Sequence, residues 1–306
     1  MHKYFHIWKL KYTSFNYSAN KSLTNYFVLL TGLFFLNSCN RKMVIKFKPV
    51  IGSKYMYTYE QVDSVVQQIG KVGNQIIVEA KNRCIFTYKI EKQSSEEYVA
   101  SVQFISCEIE NISDGSTKGE YPTRDSTFFH KELSNISGTI FFLRLSPSGN
   151  IIDMNGFQDY LKKFQTNAEQ QMSEDYFRSI FMKISEVLPN EGVEVGSSWK
   201  SQIGVKDQIE FIDETNTLSK VEQNLAYIKS SSFVKQRLPL NGDWVVCTGM
   251  AHSEIRLESN TGTLEMSKTT INVGGIFKIG ALDLSQNLVR TTILHGEKIG
   301  RGSNYR

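Results

Sequence analysis

The segment VEAKNRCIFTYKI, residues 78–90, decides the fold. Its even-numbered positions are mainly apolar, whereas most of its odd-numbered positions are charged or polar. Successive side chains of a β-strand point to opposite faces of a sheet, so this alternation gives one apolar and one wet face. The segment therefore predicts a half-buried strand of an antiparallel sheet.

The same alternation continues on both sides of this segment. Residues 98–104 predict the return strand of a hairpin, and Tyr55, Tyr57 and Tyr59 share one face of an earlier strand. Residues 111–124 predict a polar loop, because they carry glycines among polar side chains. A further strand, 138–145, ends at the turn sequence SPSGN, 146–150.

The middle of the chain changes from a period of two to spacings of three and four. Such spacing predicts two amphipathic helices, separated by the polar stretch 166–171 and ended by PNEG, 189–192. Their apolar residues are Phe157, Tyr160, Leu161 and Phe164 in the first, and Phe177, Ile180, Phe181, Ile184 and Leu188 in the second.

Strand-like segments return after the helices. We expect them near 198–211, 217–229, 243–257, 262–273, 275–284 and 287–294, mostly separated by joints rich in Gly and Asn. The predicted class is α+β: a large, curved, mostly antiparallel sheet, similar to a half-barrel, with two amphipathic helices inserted mid-chain.

The N-terminal residues predict an export signal. The only charged side chains of residues 1–38 are four lysines, an apolar run covers 26–36, and Leu36-Asn37-Ser38-Cys39 resembles a bacterial lipobox. A transmembrane helix is the first alternative, but it needs ~20 apolar residues. A cleaved signal without lipid is the second. We predict that 1–38 are removed, that Cys39 carries the lipid anchor, and that 39–306 form one periplasmic domain with a short tether.

The residues after Cys39 bear on the destination of the anchored chain. Many lipoproteins that stay in the inner membrane have an Asp directly after the lipidated cysteine, whereas this chain has Asn40. Lipoproteins sent to the cell surface carry a cluster of acidic residues there, whereas this chain has Arg41 and Lys42. We therefore expect an outer-membrane lipoprotein that faces the periplasm.

Composition excludes a nucleic-acid partner and does not decide whether the cysteines form a disulfide. Without the four signal lysines the chain has 31 basic and 31 acidic residues, so no basic excess remains. Three cysteines besides Cys39 lie in strand-like runs. Buried free thiols are the favoured interpretation, and a Cys84–Cys107 bridge across the hairpin is the alternative.

The sequence offers little chemistry. His130, His252 and His295 lie far apart and outside any metal-ligand motif. Ser197 and Lys200 have Ser-x-x-Lys spacing, but a strand would point them to opposite faces. The carboxylates between 108 and 125 do not have the spacing of a calcium loop. We predict no catalytic residue, no metal and no cofactor. A hydrolase remains a distant alternative.

Apolar aromatic side chains remain the candidate binding residues. They are expected on the sheet and on the facing sides of the helices, where they form either a solid core or the lining of a cavity for an apolar ligand. The candidate lining residues are Tyr55, Tyr57, Phe86, Tyr88, Phe104, Phe157, Tyr160, Phe164, Phe177 and Phe181.

Several segments together resemble a family of uncharacterised Bacteroidota lipoproteins, domain-of-unknown-function family 6263. They are the lipobox, GSKYMY at 52–57, SPSGN at 146–150, VEVGSSW at 193–199 and TGT at 261–263. The resemblance implies an envelope lipoprotein but no catalytic residues, and the architecture is also similar to half-barrel lipoprotein carriers. The expected function is non-catalytic binding of a lipid-like ligand or an envelope protein. A scaffolding lipoprotein with a solid core is the alternative.

Overall fold

Long antiparallel strands make up most of the chain. The computed structural model describes residues 45–70, 75–113, 136–156, 160, 174–185, 188, 193–200, 209–240, 243–279 and 282–300. The strands in these ranges are β1 Lys54–Ile69, β2 Gln75–Gln93, β3 Tyr98–Ser113, β4 Ile140–Leu145, β5 Ile151–Asn155, β6 Ser198–Lys200, β7 Ile209–Glu222, β8 Leu225–Leu240, β9 Asp243–Glu258, β10 Leu264–Ile279 and β11 Leu282–Ile299. One helix, α1, covers Glu174–Ser185.

All the described strands belong to one 11-stranded sheet in the order β5-β4-β3-β2-β1-β11-β10-β9-β8-β7-β6. Two meanders, β1–β5 and β6–β11, therefore meet side by side at β1 and β11. The β1–β11 ladder runs in unbroken register from the pair Lys54 and Ile299 to the pair Ile69 and Leu284.

The α+β prediction with two mid-chain helices is wrong. The described residues are almost entirely β: they form a single antiparallel sheet, and α1 is short. Most of the described strands have 14 to 19 residues. They are longer than the strands that the alternating sequence pattern predicted. The first predicted helix lies outside the described residues, apart from Tyr160, which is helical.

Helix α1 packs on one face of the sheet, here called the inner face. Its apolar side chains Phe177, Ile180, Phe181 and Ile184 are buried in one cluster with inner-face residues from both meanders. The helix approaches both β5 and β10, which are six strand positions apart. Those strands would lie about 29 Å apart in a flat sheet, whereas a helix of 12 residues is about 18 Å long. The sheet therefore bends around α1.

Two of the turns between the later strands lie elsewhere than the sequence predicted. The segment 217–229, expected as one strand, contains the β7–β8 hairpin turn, where Gln223 and Asn224 have φ of 50° and 68°. Gly274 and Gly275, expected as a joint, lie inside β10. A Cβ on Gly275 would lie 2.5 Å from Cζ of Phe277, so the aromatic ring covers this glycine within the strand.

The favoured interpretation of the cysteines is wrong for two of them. Cys84 on β2 and Cys107 on β3 are directly opposite each other and form a disulfide. The bridge is the alternative that the hairpin suggested. Cys247 is a buried free thiol, and burial raises its pKa above the usual value.

Within the ranges that the structure describes, no helix has the length and apolar character needed to cross a membrane.

Candidate functional site: a buried polar row

The predicted aromatic residues do come together on the inner face. All eight that the structure describes are buried in the cluster that contains α1. Phe86 packs edge-on against Phe181 with ring centroids 5.4 Å apart, and Phe104 packs against Phe177 at 5.4 Å. These rings form a contiguous aromatic layer between sheet and helix, with the edge-to-face geometry that aromatic pairs favour. Phe157 and Phe164 lie outside the described residues.

Two tyrosines of this layer, Tyr57 and Tyr88, are held as neutral phenols. Tyr57 Oη donates a hydrogen bond to the backbone carbonyl of Leu264 at 3.1 Å. Burial raises the pKa of Tyr57 and of Tyr88 well above the usual value. These residues supply apolar surface and hydrogen bonding, and no ionised group.

A row of polar side chains crosses the inner face, next to the aromatic layer along the strands. The row spans seven neighbouring strands, and each member is the direct cross-strand partner of the next. In spatial order it comprises Asn82, Gln61, Thr292, Thr269, Ser253, Ser230 and Asn216. Five of these seven residues are buried, with at most 6% of their surface exposed. Buried polar groups cost free energy unless they are hydrogen-bonded, so a row of this length is a feature to explain.

A second apolar row lies beyond the polar row on the same face. It runs across neighbouring strands as Val78, Val65, Leu288, Val273, Gly249 and Val234. Its buried members belong to a second core cluster, which includes none of the α1 side chains that the structure describes. At one end this row is open, because Val65 is only partly buried and Val78 is 42% exposed. The inner face is thus layered: aromatic under the helix, then polar, then apolar again.

At the β1–β11 boundary the polar row is tied to a charged pair. Tyr59 Oη donates to Gln61 Oε1 at 2.5 Å, and Gln61 Nε2 donates to Asp63 Oδ2 at 3.0 Å. Arg290 donates two hydrogen bonds to Asp63, from Nε to Oδ1 at 2.7 Å and from Nη2 to Oδ2 at 2.8 Å. This bidentate geometry fixes both side chains.

Near the other end of the row, a buried carboxylate lies beside a β-bulge. The register of β7 against β8 shifts between Ile212 and Thr215, and Asp213 in the bulge has φ of 53°. Glu214 is buried on the same face as Asn216, and Ser230 Oγ donates to its Oε1 at 2.7 Å. The bulge changes the face of the residues before it, since Ile212 pairs with the exposed Phe233.

The centre of the row holds a polar atom that the protein does not satisfy. Ser253 Oγ and Thr269 Oγ1 hydrogen-bond at 2.9 Å. Thr292, which lies between Gln61 and Thr269, is 2% exposed, and its Oγ1 has no hydrogen-bond partner among the described residues. A buried hydroxyl of this kind costs about 1–3 kcal/mol, so the site is not optimised for stability alone.

Lys183 is a basic residue in the last turn of α1. It is partly buried, and the described residues offer its Nζ no hydrogen-bond or ion-pair partner. Burial, followed by repulsion from Arg290, lowers the pKa of Lys183 to about 8, while Glu214 and Asp63 act in the opposite direction.

The other residues singled out from the sequence do not form a site. His252 and His295 are exposed, and Lys200 is exposed and donates to Asp213 Oδ1 at 2.9 Å. Glu108 lies exposed on β3. His130 and the lipid-anchor residue Cys39 lie outside the described residues. Within the described part of the chain, no group of three or more His, Cys, Asp or Glu residues could hold a metal ion.

Sequence reasoning missed the polar row. Each member is a single polar residue in an alternating strand, and only the register of seven strands brings the members together. One signal was present at Gln61, which follows Tyr55, Tyr57 and Tyr59 at the same spacing and so places an amide on an apolar face.

The fold and the site define a class of protein: a single antiparallel sheet bent around a helix, with a polar row between two apolar layers. The chain belongs to a family of unknown function, DUF6263, whose model matches residues 96–270. No curated protein matches the chain.

Three solved structures show weak similarity. A structure titled for lipid–protein interactions in lipovitellin has 12% identity and a TM-score of 0.47, covering 83% of this chain and 26% of its own. The COG4313 outer membrane channel from Pseudomonas putida F1 has 7% identity and a TM-score of 0.25, covering 82% and 98%. The InvG secretin domain β-barrel from Salmonella has 8% identity and a TM-score of 0.18, covering 94% and 70%. At these values the similarities carry no argument about function.

Proposed function

We propose that this protein is a non-catalytic lipoprotein of the bacterial outer membrane, anchored through Cys39 on the periplasmic face. Its role is to bind an amphipathic, largely apolar ligand on the inner face of the sheet. The observation that carries the proposal is the layered inner face, in which a buried polar row separates two apolar surfaces. A sheet selected only for stability would continue its apolar pattern through that row.

The second apolar row is the surface that we assign to the apolar part of the ligand. The first apolar layer is already covered by the side chains of α1. None of the described α1 side chains belongs to the second layer, which is open at Val65 and Val78. A ligand lying there would cover the exposed apolar surface and place its polar end at the polar row.

Two features support a location outside the cytoplasm. The lipobox ends at Cys39, in the position where lipoprotein processing requires a cysteine. The Cys84–Cys107 disulfide suits an oxidising compartment.

Two measurements test the two parts of this proposal. Cys39→Ser should move the protein from the membrane fraction to the soluble fraction, because a chain without acyl groups loses its anchor. An unchanged distribution would reject the lipid anchor. Native mass spectrometry of material purified from its own cells without detergent should show a bound lipid-like mass. Its absence, together with an interior filled by protein side chains in an experimental structure, would reject ligand binding.

A scaffolding lipoprotein with a solid interior is the second candidate. The observation that favours it is the direct ring-to-ring packing of the aromatic layer, with Phe86, Phe104, Phe177 and Phe181 almost completely buried. Crosslinking in the native envelope separates the two: a scaffold gives a reproducible protein neighbour and no ligand mass.

A further inference from the structure

We propose that the turn before β1 is a membrane-docking element, which inserts Val50 and Ile51 into the interface of an anionic phospholipid bilayer while neighbouring lysines contact the lipid head groups. This contact goes beyond ligand binding and rests on the proposed lipid anchor at Cys39. Three observations carry it: the exposure of the two apolar side chains, the charge of the segment around them, and its distance along the chain from Cys39.

The segment before β1 is held in place by the folded domain. Ile45 and Phe47 are buried in the core cluster, and the Phe47 ring packs edge-on against Tyr98 with ring centroids 5.5 Å apart. The backbone N–H of Lys48 donates to the carbonyl oxygen of Thr261 at 2.7 Å. Buried and exposed side chains alternate along the segment, so its exposed side chains project from a fixed backbone.

A tight turn at the end of this segment presents two apolar side chains to the solvent. The N–H of Ser53 donates to the carbonyl oxygen of Val50 at 3.0 Å, and Gly52 has φ of 79°, as in a type II turn. Val50 and Ile51 are each 55% exposed, and a Cβ on Gly52 would meet no atom within 4 Å. Solvated turns favour glycine, proline and small polar residues. Two adjacent β-branched apolar side chains at this position therefore indicate contact with an apolar medium.

The same segment carries only positive charge. Lys46, Lys48 and Lys54 are exposed, with no acidic residue between them in sequence, and none of the three forms an ion pair within the described ranges. The neighbouring strand ends do not cancel this charge, because Lys89 is paired with Glu91 at 2.7 Å. Four further exposed charges at these strand ends balance one another: Lys92, Lys298, Glu96 and Glu297. Lysines beside exposed apolar side chains favour an anionic lipid surface, where each lysine contributes about fivefold to binding.

The position of the turn in the chain brings it close to the bilayer. Ile45 follows Cys39 by six residues, which span at most about 22 Å when fully extended. An acylated Cys39 therefore keeps the start of the segment near the lipid, and Val50 follows only five residues later. The lipid anchor raises the local concentration of the turn at the surface, so a contact that is weak alone can still form. The docked turn then fixes which end of the sheet faces the bilayer.

The experiment measures binding of the mature chain without its acyl groups, residues 39–306 with Cys39→Ser, to sedimented vesicles. One set of vesicles contains about 30% phosphatidylglycerol in phosphatidylcholine, and the other contains phosphatidylcholine alone. The chain should bind the anionic vesicles at least about tenfold more tightly, because the three lysines act together. Raising the salt concentration from about 0.05 M to about 0.5 M should remove this difference, since salt screens exposed charges.

Two double variants assign the binding to the turn. Val50→Ser with Ile51→Ser should weaken binding to the anionic vesicles by about tenfold or more, because less apolar surface is buried. Lys46→Gln with Lys48→Gln should weaken it by about 25-fold, at fivefold for each lysine. All four side chains are exposed, so these changes leave the core intact.

Matched pairs elsewhere on the sheet serve as controls. Ile140→Ser with Phe142→Ser changes two apolar side chains on β4 that are 47% and 46% exposed. Lys229→Gln with Lys268→Gln removes two exposed lysines from β8 and β10. Both control pairs should bind the anionic vesicles as tightly as the unchanged chain.

The outcomes separate this proposal from the lipid anchor. Equal binding to the two kinds of vesicle, unchanged binding after either change at the turn, or an equal loss in the control pairs would overturn docking through this turn. The anchor is judged independently by the fractionation of Cys39→Ser in cells. If the chain self-associates without lipid and Val50→Ser with Ile51→Ser abolishes the association, the turn contacts a second copy and the proposal is overturned.

Discussion

Replacing Lys183 by Met should make the unliganded protein more stable at pH 7. In the folded protein the pKa of Lys183 falls from its usual value of 10.5 to about 8, mainly because of burial. At about 1.36 kcal/mol per pKa unit, the charged form then costs about 3 kcal/mol at pH 7. Methionine is similar in length and leaves no large cavity. It also removes a favourable charge at the helix C-terminus, worth about 0.3–1 kcal/mol, so we expect a net gain of about 2 kcal/mol.

The pH dependence gives the sign of this effect independently. Because the folded-state pKa lies below the unfolded-state value, the unfolded chain binds more protons between pH 8 and about 10.5. The free energy of unfolding of the wild type should therefore rise with pH through that window. The difference in the free energy of unfolding between Lys183→Met and the wild type should decrease over the same range, since deprotonation of the wild-type lysine removes the cost of burying its charge.

Urea unfolding at pH 7 and at pH 10, followed by circular dichroism, measures both quantities. Lys268→Met is the control, because its side chain is exposed on the outer face and a surface change of this kind alters stability by less than about 0.5 kcal/mol. If Lys183→Met were less stable than the wild type at pH 7, Lys183 would have an anionic partner inside the folded protein.

Three further changes test the fold. Serine at Cys84 and Cys107 should lower the free energy of unfolding by about 3 kcal/mol, the value for a closed loop of 23 residues; an equally stable reduced protein would contradict the bridge. Phe104→Ala should cost about 4 kcal/mol by opening the aromatic layer, whereas Phe142→Ala at a 46% exposed position should cost less than about 1 kcal/mol; equal costs would contradict the assigned faces. Gly249→Ala should cost about 3 kcal/mol, since its Cβ would lie 1.8 Å from a backbone carbonyl oxygen of β10; a neutral effect in urea unfolding would contradict the close approach of β9 and β10.

The strands with strong local patterns were predictable from the sequence. The alternation through residues 78–90 fixes both the strand and its apolar face, and the structure extends it to Gln75–Gln93. The aromatic layer follows from the same parity at Tyr57 and Phe86, together with the helical spacing of Phe177 and Phe181. These features depend on short stretches of sequence, where side-chain period is a direct signal.

The fold class and the candidate site depend on long-range pairing and were not predictable in the same way. The β7–β8 turn uses Gln223 and Asn224 at positive φ without a glycine, so the usual turn signal is missing. Thr292 is ordinary in its own strand and becomes significant only because Gln61 and Thr269 flank it. Lys183 looks like a solvated helix residue until the bend of the sheet places Arg290 and Asp63 near it.

The meeting of β1 and β11 at the middle of the sheet has a consequence for biogenesis. The ladder pairs Lys54 with Ile299, so its partners are separated by almost the whole described chain. During synthesis the N-terminal meander emerges first, and β1 exposes unsatisfied backbone groups until the last strand has been made. Contacts of such long sequence separation form slowly, and unprotected strand edges invite aggregation. The nascent polypeptide should therefore depend on a holding chaperone, and truncations that remove the last strand should accumulate as insoluble or proteolysed material.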